Sequence, residues 1–313
     1  MQTKPFVTFK EKILDNCSRI IVGKNEVIEQ IVICLIAAGH ILLEDVPGTG
    51  KTMLLRAFAK SIGGDFRRIQ FTPDLMPSDL TGINFFNQKK GEFEFRPGPL
   101  FSQIILADEI NRATPRSQSA LLEVMEEKQI SVDGVTHRMR EPYMVMATQN
   151  PLESYGTFPL PEAQMDRFFM RLRLGYMTRE QEISVLRRPD SKTLLEELEP
   201  VVTAEELSAL QQSYAQVRVN DDLAAYIMNI VEATRRSELL LNGVSTRGTL
   251  ALYRACQIYA ALQGRDYVIP EDVKKEALCV LPHRIILVNQ SHLDNVRFLE
   301  NMLDEVPVPL EKP

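Results

Sequence analysis

The sequence contains no tryptophan, and aromatic residues make up only 7% of its 313 positions. That scarcity argues against a carbohydrate-binding or single-strand-stacking surface, since both need exposed rings. The four cysteines, Cys17, Cys34, Cys256 and Cys279, stand far apart with no C-x-x-C, so neither a zinc site nor a thioredoxin-like motif is indicated. Three of them fall in apolar helical stretches and read as small packed hydrophobes. The four histidines, His40, His137, His283 and His292, show no metal-ligand spacing. No apolar run is long enough to span a bilayer, because the longest, 31–43, is broken at Gly39-His40. The N-terminus lacks the apolar core of a secretory signal, which gives the expectation of a cytoplasmic protein without a membrane span. A net charge of −6 creates no global field for nucleic acid. Paired basic residues such as Arg67-Arg68 and Lys89-Lys90 are either a local basic patch or, the plainer reading, solvated faces. Repeats and low-complexity segments are absent.

The remaining composition, 44% hydrophobic and 25% charged, is that of a soluble chain long enough for two domains. One stretch organises it: His40-Ile41-Leu42-Leu43-Glu44-Asp45-Val46-Pro47-Gly48-Thr49-Gly50-Lys51-Thr52. An apolar run the length of a buried strand breaks into a turn holding one Pro and two Gly, and a helix-forming segment, Met53 to Ile62, follows. Turn amides and the free N–H groups of the next helix can point at an anion, and the helix dipole adds partial positive charge. Lys51 would reach the β- and γ-phosphates and Thr52 would place its hydroxyl on Mg²⁺. The pattern G-x-x-x-x-G-K-[ST] is met except at its first position, where Asp45 stands. A strand–turn–helix corner that uses Gly and Pro for geometry alone is the plainer alternative.

Further along, Ile104 to Ala107 is a buried-strand run ending in Asp108-Glu109. Carboxylates at a strand's C-terminal end sit where open α/β sheets bind ligands. Asp108 could hold the Mg²⁺ shell and Glu109 could polarise a water for attack on the γ-phosphate; adjacent acids are also common as helix N-terminal charges. A later strand, Tyr143 to Thr148, ends in Gln149-Asn150-Pro151. Asn150 could hydrogen-bond the γ-phosphate or the attacking water, or it is simply a turn-forming Asn before proline. Two hairpins interrupt the α/β rhythm, one between Ile83 and Phe95 with alternating Phe, the other marked by Asp133-Gly134. A fifth strand alternates through Phe169 to Leu174, and Thr178-x-x-Gln181 is a capping-box signal for a helix through Leu186. The stretch Arg187 to Pro200 is the candidate domain boundary. Beyond it strand signals stop and capped helices follow, opened by Thr203-x-x-Glu206, Ser245-Thr246-Arg247-Gly248 and Pro270.

Taken together, Val46-Pro47-Gly48-Thr49-Gly50-Lys51-Thr52, Arg96-Pro97-Gly98-Pro99-Leu100-Phe101, Asp108-Glu109-Ile110-Asn111-Arg112-Ala113, Gln149-Asn150-Pro151 and Leu160 to Phe168 resemble the AAA+ ATPases and, within them, the MoxR family. The resemblance implies a P-loop core with a parallel five-stranded sheet between helices and hairpin insertions, over 1–188, followed by a small helical lid over 189–313. It implies Lys51 and Thr52 in the Walker A role, Asp108 and Glu109 in Walker B, and Asn150 as sensor 1. Arg167 matches an arginine finger acting on the neighbouring subunit's nucleotide, and Arg247 the sensor 2 arginine that couples the lid to the γ-phosphate. Val22-Gly23 matches an adenine-side loop, and with Pro47, Gly48, Thr49, Gly50, Lys51, Thr52 and Met53 completes the implied ATP/ADP contact set. Thr52 and Asp108 would hold Mg²⁺. Arg112 is either a further contact across subunits or a helix start. A ring, a hexamer, that remodels or matures a protein client, with a von Willebrand factor A domain protein as partner, is what such a chain is expected to form. A nucleotide-switched binding module with negligible hydrolysis and a nucleic-acid motor on the same core are the competing readings.

Overall fold

The computed structural model describes residues 2–45, 48–149, 156–187, 191–288 and 294–309. Helices α1 (Lys4–Ser18) and α2 (Asn25–Ile36) lead into strand β1 (Ile41–Glu44), and α3 (Lys51–Ser61) carries the chain to β2 (Phe66–Gln70). A short helix α4 (Pro77–Thr81) opens a hairpin of β3 (Gly82–Asn87) and β4 (Glu92–Pro97). Then come β5 (Ile104–Asp108), α5 (Pro115–Glu127), a second hairpin of β6 (Gln129–Val132) and β7 (Val135–Arg138), β8 (Met144–Gln149), α6 (Glu162–Met165) and β9 (Met170–Leu172). Helices dominate the rest: α7 (Arg179–Leu186), α8 (Ser191–Glu196), α9 (Ala204–Ser213), α10 (Asp221–Arg236), α11 (Thr246–Leu262), α12 (Pro270–Val280) and α13 (Asp294–Glu305). Among them β10 (Leu240–Asn242) and β11 (Ile286–Leu287) form a small antiparallel pair. No strand signal marks these segments in the sequence, because runs of three and two residues are too short to show an alternation.

Five parallel strands make the central sheet, in the order β2-β5-β8-β1-β9. The three inner strands, β1, β5 and β8, read as near-continuous apolar runs because helices cover both faces. Leu42, Ile105, Ala107, Val145 and Ala147 point into one core with Leu121, Leu122 and Met125 of α5. Their neighbours Ile41, Leu43, Ile104, Leu106, Met144, Met146, Met170 and Leu172 point into the other, with α1, α2, α3 and the later helices. Helix α1 escaped the sequence reading although Phe6, Phe9, Ile13 and Cys17 bury one helical face. Cys34 and Cys256 are buried like Cys17, as their apolar surroundings required.

Register brings the functional strand ends level. Gln70 lies opposite Asp108, and Glu44 opposite Gln149, so the C-terminal tips of four neighbouring strands share one edge, with α3 starting beside it. The two hairpins touch each other: Phe95 stacks on His137 with ring centroids 4.3 Å apart, and Asn84 Nδ2 donates to Asp133 Oδ2 at 2.7 Å. Phe93, on the same face of β4 as Phe95, is 73% exposed and meets Phe86 edge-on. Capping follows the sequence signals, with Thr178 and Gln181 boxing α7 and Thr203 and Glu206 boxing α9. No helix among the described residues is long and apolar enough to cross a membrane.

Candidate active site

The turn between β1 and α3 is built for close approach. Gly48 and Gly50 both take φ of 86°, in the left-handed region that favours glycine. A Cβ placed on either would meet no protein atom within 4 Å, so open space lies in front of the helix. Gly50 caps α3 with no side-chain acceptor, and the partial positive charge of the helix start faces this space, where an anion is favoured. Lys51 Nζ donates to the carbonyl of Asp45 at 3.2 Å, folding the ammonium back over the turn. Gly48, Gly50, Lys51, Thr52 and Met53 line a cavity of about 460 Å³ together with Arg56, Arg68, Gln70, Asp108, Glu109, Thr148 and Gln149. Thr49 is buried in the same turn. Pro47 and Asn150 lie outside the described residues.

Strand tips supply the opposite wall. Asp108 Oδ1 accepts from the Thr148 hydroxyl at 2.7 Å, and that hydroxyl accepts from the Glu109 amide at 2.8 Å. Glu109 holds φ of 57°, an uncommon conformation for a residue with a side chain. Its Oε2 accepts from Gln70 Nε2 at 2.7 Å and pairs with Arg112 Nε at 3.2 Å. Arg112 thus meets the carboxylate of its own chain. Arg68 donates to Asp108 Oδ2 from Nε at 3.0 Å and from Nη2 at 2.6 Å. Arg67 and Arg68 are exposed as the sequence reading expected, and Arg68 is in addition paired with Asp108. Its alternation on β2 puts it on the face of Gln70, and the register carries both to the Asp108 edge. Position at a strand tip was the signal available for these two residues.

Asp45, the departure from the general P-loop pattern, has a structural task. Its Oδ2 accepts the amides of Leu174 at 2.7 Å and Gly175 at 3.1 Å. Lys24 Nζ takes the carbonyls of Leu174, Gly175 and Tyr176 at 2.6, 3.1 and 3.1 Å. One backbone segment after β9 is thus gripped through its donors by the cradle and through its acceptors by the residue following Val22-Gly23. Gly23 itself lies against α7, where a Cβ would come within 2.0 Å of Gln181 Nε2. Val22 and Gly23 are not among the residues lining the 460 Å³ cavity.

Arg167 and Arg247 are brought together somewhere else. Both line a second cavity of about 280 Å³ with Glu126, Lys128, Asp166 and Arg254, and neither lines the cradle. Arg167 Nε pairs with Glu126 Oε2 at 3.1 Å, and Arg247 Nη2 donates to Glu126 Oε1 at 2.6 Å. The backbones carrying them are also joined. Ser245, which caps α11, donates to Asp166 Oδ2 at 2.8 Å, while Arg284 Nε donates to Asp166 Oδ1 at 2.8 Å and Arg284 Nη2 to the Phe168 carbonyl at 2.6 Å. Burial pulls Arg284 down to about 10, against the opposing pull of Asp166. His40 is buried, and that burial pulls it down to about 4. It is neutral, accepting from the Val145 amide at 3.0 Å through Nδ1 and donating from Nε2 to the Met125 carbonyl at 2.9 Å. Glu126 carried no signal in the sequence, standing among other acids in the last turn of α5.

Residues 40–170 match the family described as "ATPase family associated with various cellular activities (AAA)", and 232–304 match the AAA lid domain. Chaperone MoxR1 of Mycobacterium tuberculosis is 40% identical over 316 residues, covering 96% of this chain and 82% of the relative. The chain belongs to the MoxR family of AAA+ ATPases. Another relative, YeaC of Bacillus subtilis, is 48% identical over 304 residues, 96% of this chain and 95% of YeaC. A crystal structure of a candidate ATPase from Cytophaga hutchinsonii superposes with a TM-score of 0.89 at 38% identity, covering 98% of each chain. Fold and chemistry agree with membership: this MoxR-family enzyme is an ATPase, with a five-stranded parallel core and a helical lid.

Proposed function

We propose that this MoxR-family ATPase cleaves ATP with Mg²⁺ at sites completed between neighbouring subunits of a hexameric ring, and that it uses the cycle to remodel or mature a protein client. One observation carries the reading. Each chain offers a phosphate cradle in one cavity and two converging arginines in another, with neither arginine at the chain's own cradle. A neighbour's pair can complete it.

In this reading Lys51 and the first amides of α3 hold the phosphates, Pro47, Gly48, Thr49, Gly50, Thr52 and Met53 complete the nucleotide contact set, and Val22-Gly23 serves the adenine side. The Thr52 hydroxyl and the Asp108 carboxylate are hard oxygen donors on one cavity, the small set a protein lends to Mg²⁺ when phosphates and water supply the rest. Bound there, the ion would neutralise charge on the phosphate oxygens. Glu109, held through Oε2, polarises the attacking water. Asn150 contacts the γ-phosphate or that water. Arg167 and Arg247 bond the charge that grows on the transferring phosphoryl group, an interaction stronger in the transition state than before it. The core comprises 1–188 and the lid 189–313. The name of Chaperone MoxR1 supports a protein client. A partner with a von Willebrand factor A domain and a cytoplasmic location follow from the family resemblance.

Glu109→Gln tests the chemistry. The variant is expected to bind ATP as the parent does and to release almost no phosphate, and near-normal release would remove Glu109 from its role. Copurification of that variant with ATP identifies what the ring holds. Fast hydrolysis by a dilute, verified monomer would overturn the inter-subunit site.

A further inference from the structure

We propose that Glu126 is a positioning residue: its carboxylate holds Arg167 and Arg247 as one two-pronged unit and presents their remaining N–H groups to the nucleotide of the adjacent subunit. The proposal rests on the reading that Arg167 acts across the subunit boundary.

The geometry of the contact carries the argument. Glu126 spends one oxygen on each arginine, Oε2 on Arg167 Nε and Oε1 on Arg247 Nη2. Engaging Arg167 through Nε leaves both of its terminal nitrogens without a partner among the described residues, in the fork that suits a phosphate. Arg247 likewise keeps Nε and Nη1. The two guanidiniums come from separate elements, the turn after α6 and the first turn of α11, and like charges drawn this close repel. The shared carboxylate offsets that repulsion. Asp166, the other acid of the cavity, is already occupied by Arg284 and Ser245.

The mount is rigid where it must be. His40 is 5% exposed and bonds the carbonyl of Met125, the residue before Glu126, while its other nitrogen takes the amide of Val145 on β8. A neutral buried imidazole therefore pins the end of α5 to the sheet. Ser245 and Asp166 fix the two arginine-bearing backbones to each other at 2.8 Å. Only the side chains remain to be aligned, and Glu126 does that. A carboxylate that merely parked the arginines would occupy the terminal nitrogens of both, whereas this one meets Arg167 at Nε and takes only Nη2 of Arg247.

The test uses the full-length ring. Glu126→Ala is expected to lower kcat about 10- to 100-fold, the cost of misplacing a transition-state contact by an ångström or so, with KM for ATP changed less than about 2-fold. The defect belongs to the donor side of the site, so mixing decides its origin. Glu109→Gln subunits carry intact arginines, and adding them to Glu126→Ala subunits should raise activity several-fold above the sum of the separate preparations. Arg167→Ala subunits should give no such rescue. Glu126→Gln, which keeps one acceptor oxygen, serves with a smaller expected loss if the alanine variant does not fold. A rise in kcat on removing Glu126 would mean parking and overturn the proposal. So would failure of Glu109→Gln to rescue the Glu126 variant while it rescues Arg167→Ala. If Arg167→Ala is not rescued either, the inter-subunit reading fails and the positioning role falls with it.

Discussion

Glu276 offers a sharp test of how the lid is joined to the core. It is fully buried on α12, in the segment matching the AAA lid, and its Oε1 accepts from Gln30 Nε2 of α2 at 2.9 Å. The other oxygens of the pair, Glu276 Oε2 and Gln30 Oε1, have no hydrogen-bond partner among the described residues. Burial pushes the Glu276 carboxyl from 4.5 up to about 8, and the Gln30 bond opposes this only in part. The folded chain therefore keeps a proton between those values that the unfolded chain gives up. More protons on the folded side means that stability is fully present below pH 4.5 and is lost as pH rises towards 8. At about 1.4 kcal/mol per unit the whole window corresponds to about 4–5 kcal/mol. Glu276→Gln stays neutral at every pH and its amide brings the donor that the Gln30 oxygen lacks. Urea unfolding at a series of pH values from 5 to 9 should show the variant and parent close at the acid end and separating as pH rises, the variant the more stable. Parallel curves would refute the buried, protonated carboxyl. A variant weaker by the same amount at every pH would refute the amide–acid pairing.

Two further predictions concern the cradle. Asp45→Gly, which completes the general P-loop pattern, should destabilise the chain by about 2–4 kcal/mol, because two amides lose a charged acceptor. A gain in urea midpoint or in ATP affinity from that change would contradict the tether to Leu174 and Gly175. Gly50→Ala should lower ATP affinity about tenfold, since a side chain in the left-handed region costs about 1–2 kcal/mol and its Cβ enters the open space before α3; unchanged binding by calorimetry would contradict it.

Local chemistry was legible in the sequence where neighbouring residues carry it. Gly48, Gly50, Lys51 and Thr52 announce their turn because four residues within five positions define it, and the Asp108 and Glu109 strand tip follows from one apolar run. Capping boxes at Thr178 and Thr203 span three residues and appear as written. What stayed hidden depends on contacts far apart along the chain. Asp45 looked like a defect until residues 129 and 130 positions later closed on it. Arg68 looked like solvated charge until the sheet register set it beside Asp108, and Glu126 was one acid among several until α11 brought Arg247 to it.

Exposure then separates the charges that build the fold from those free to do chemistry. Arg284 with Asp166, at 2% and 20% side-chain exposure, and Arg171 with Glu44, at 3% and 7%, are ion pairs taken out of water. Breaking either would strand a buried charge at a cost of about 3–5 kcal/mol, so both belong to the frame. Arg68, Arg167 and Arg247 keep 46%, 32% and 49% exposure in their pairs, and such pairs are worth only about 0–1 kcal/mol. In the proposed cycle Asp108 would exchange Arg68 for a divalent ion while Glu126 keeps hold of Arg167 and Arg247, with little loss to the fold. The same sorting assigns Arg284 to supporting the Arg167 loop through the Phe168 carbonyl, and leaves Arg167 and Arg247 partly exposed, as the proposed contact with a neighbour's nucleotide requires.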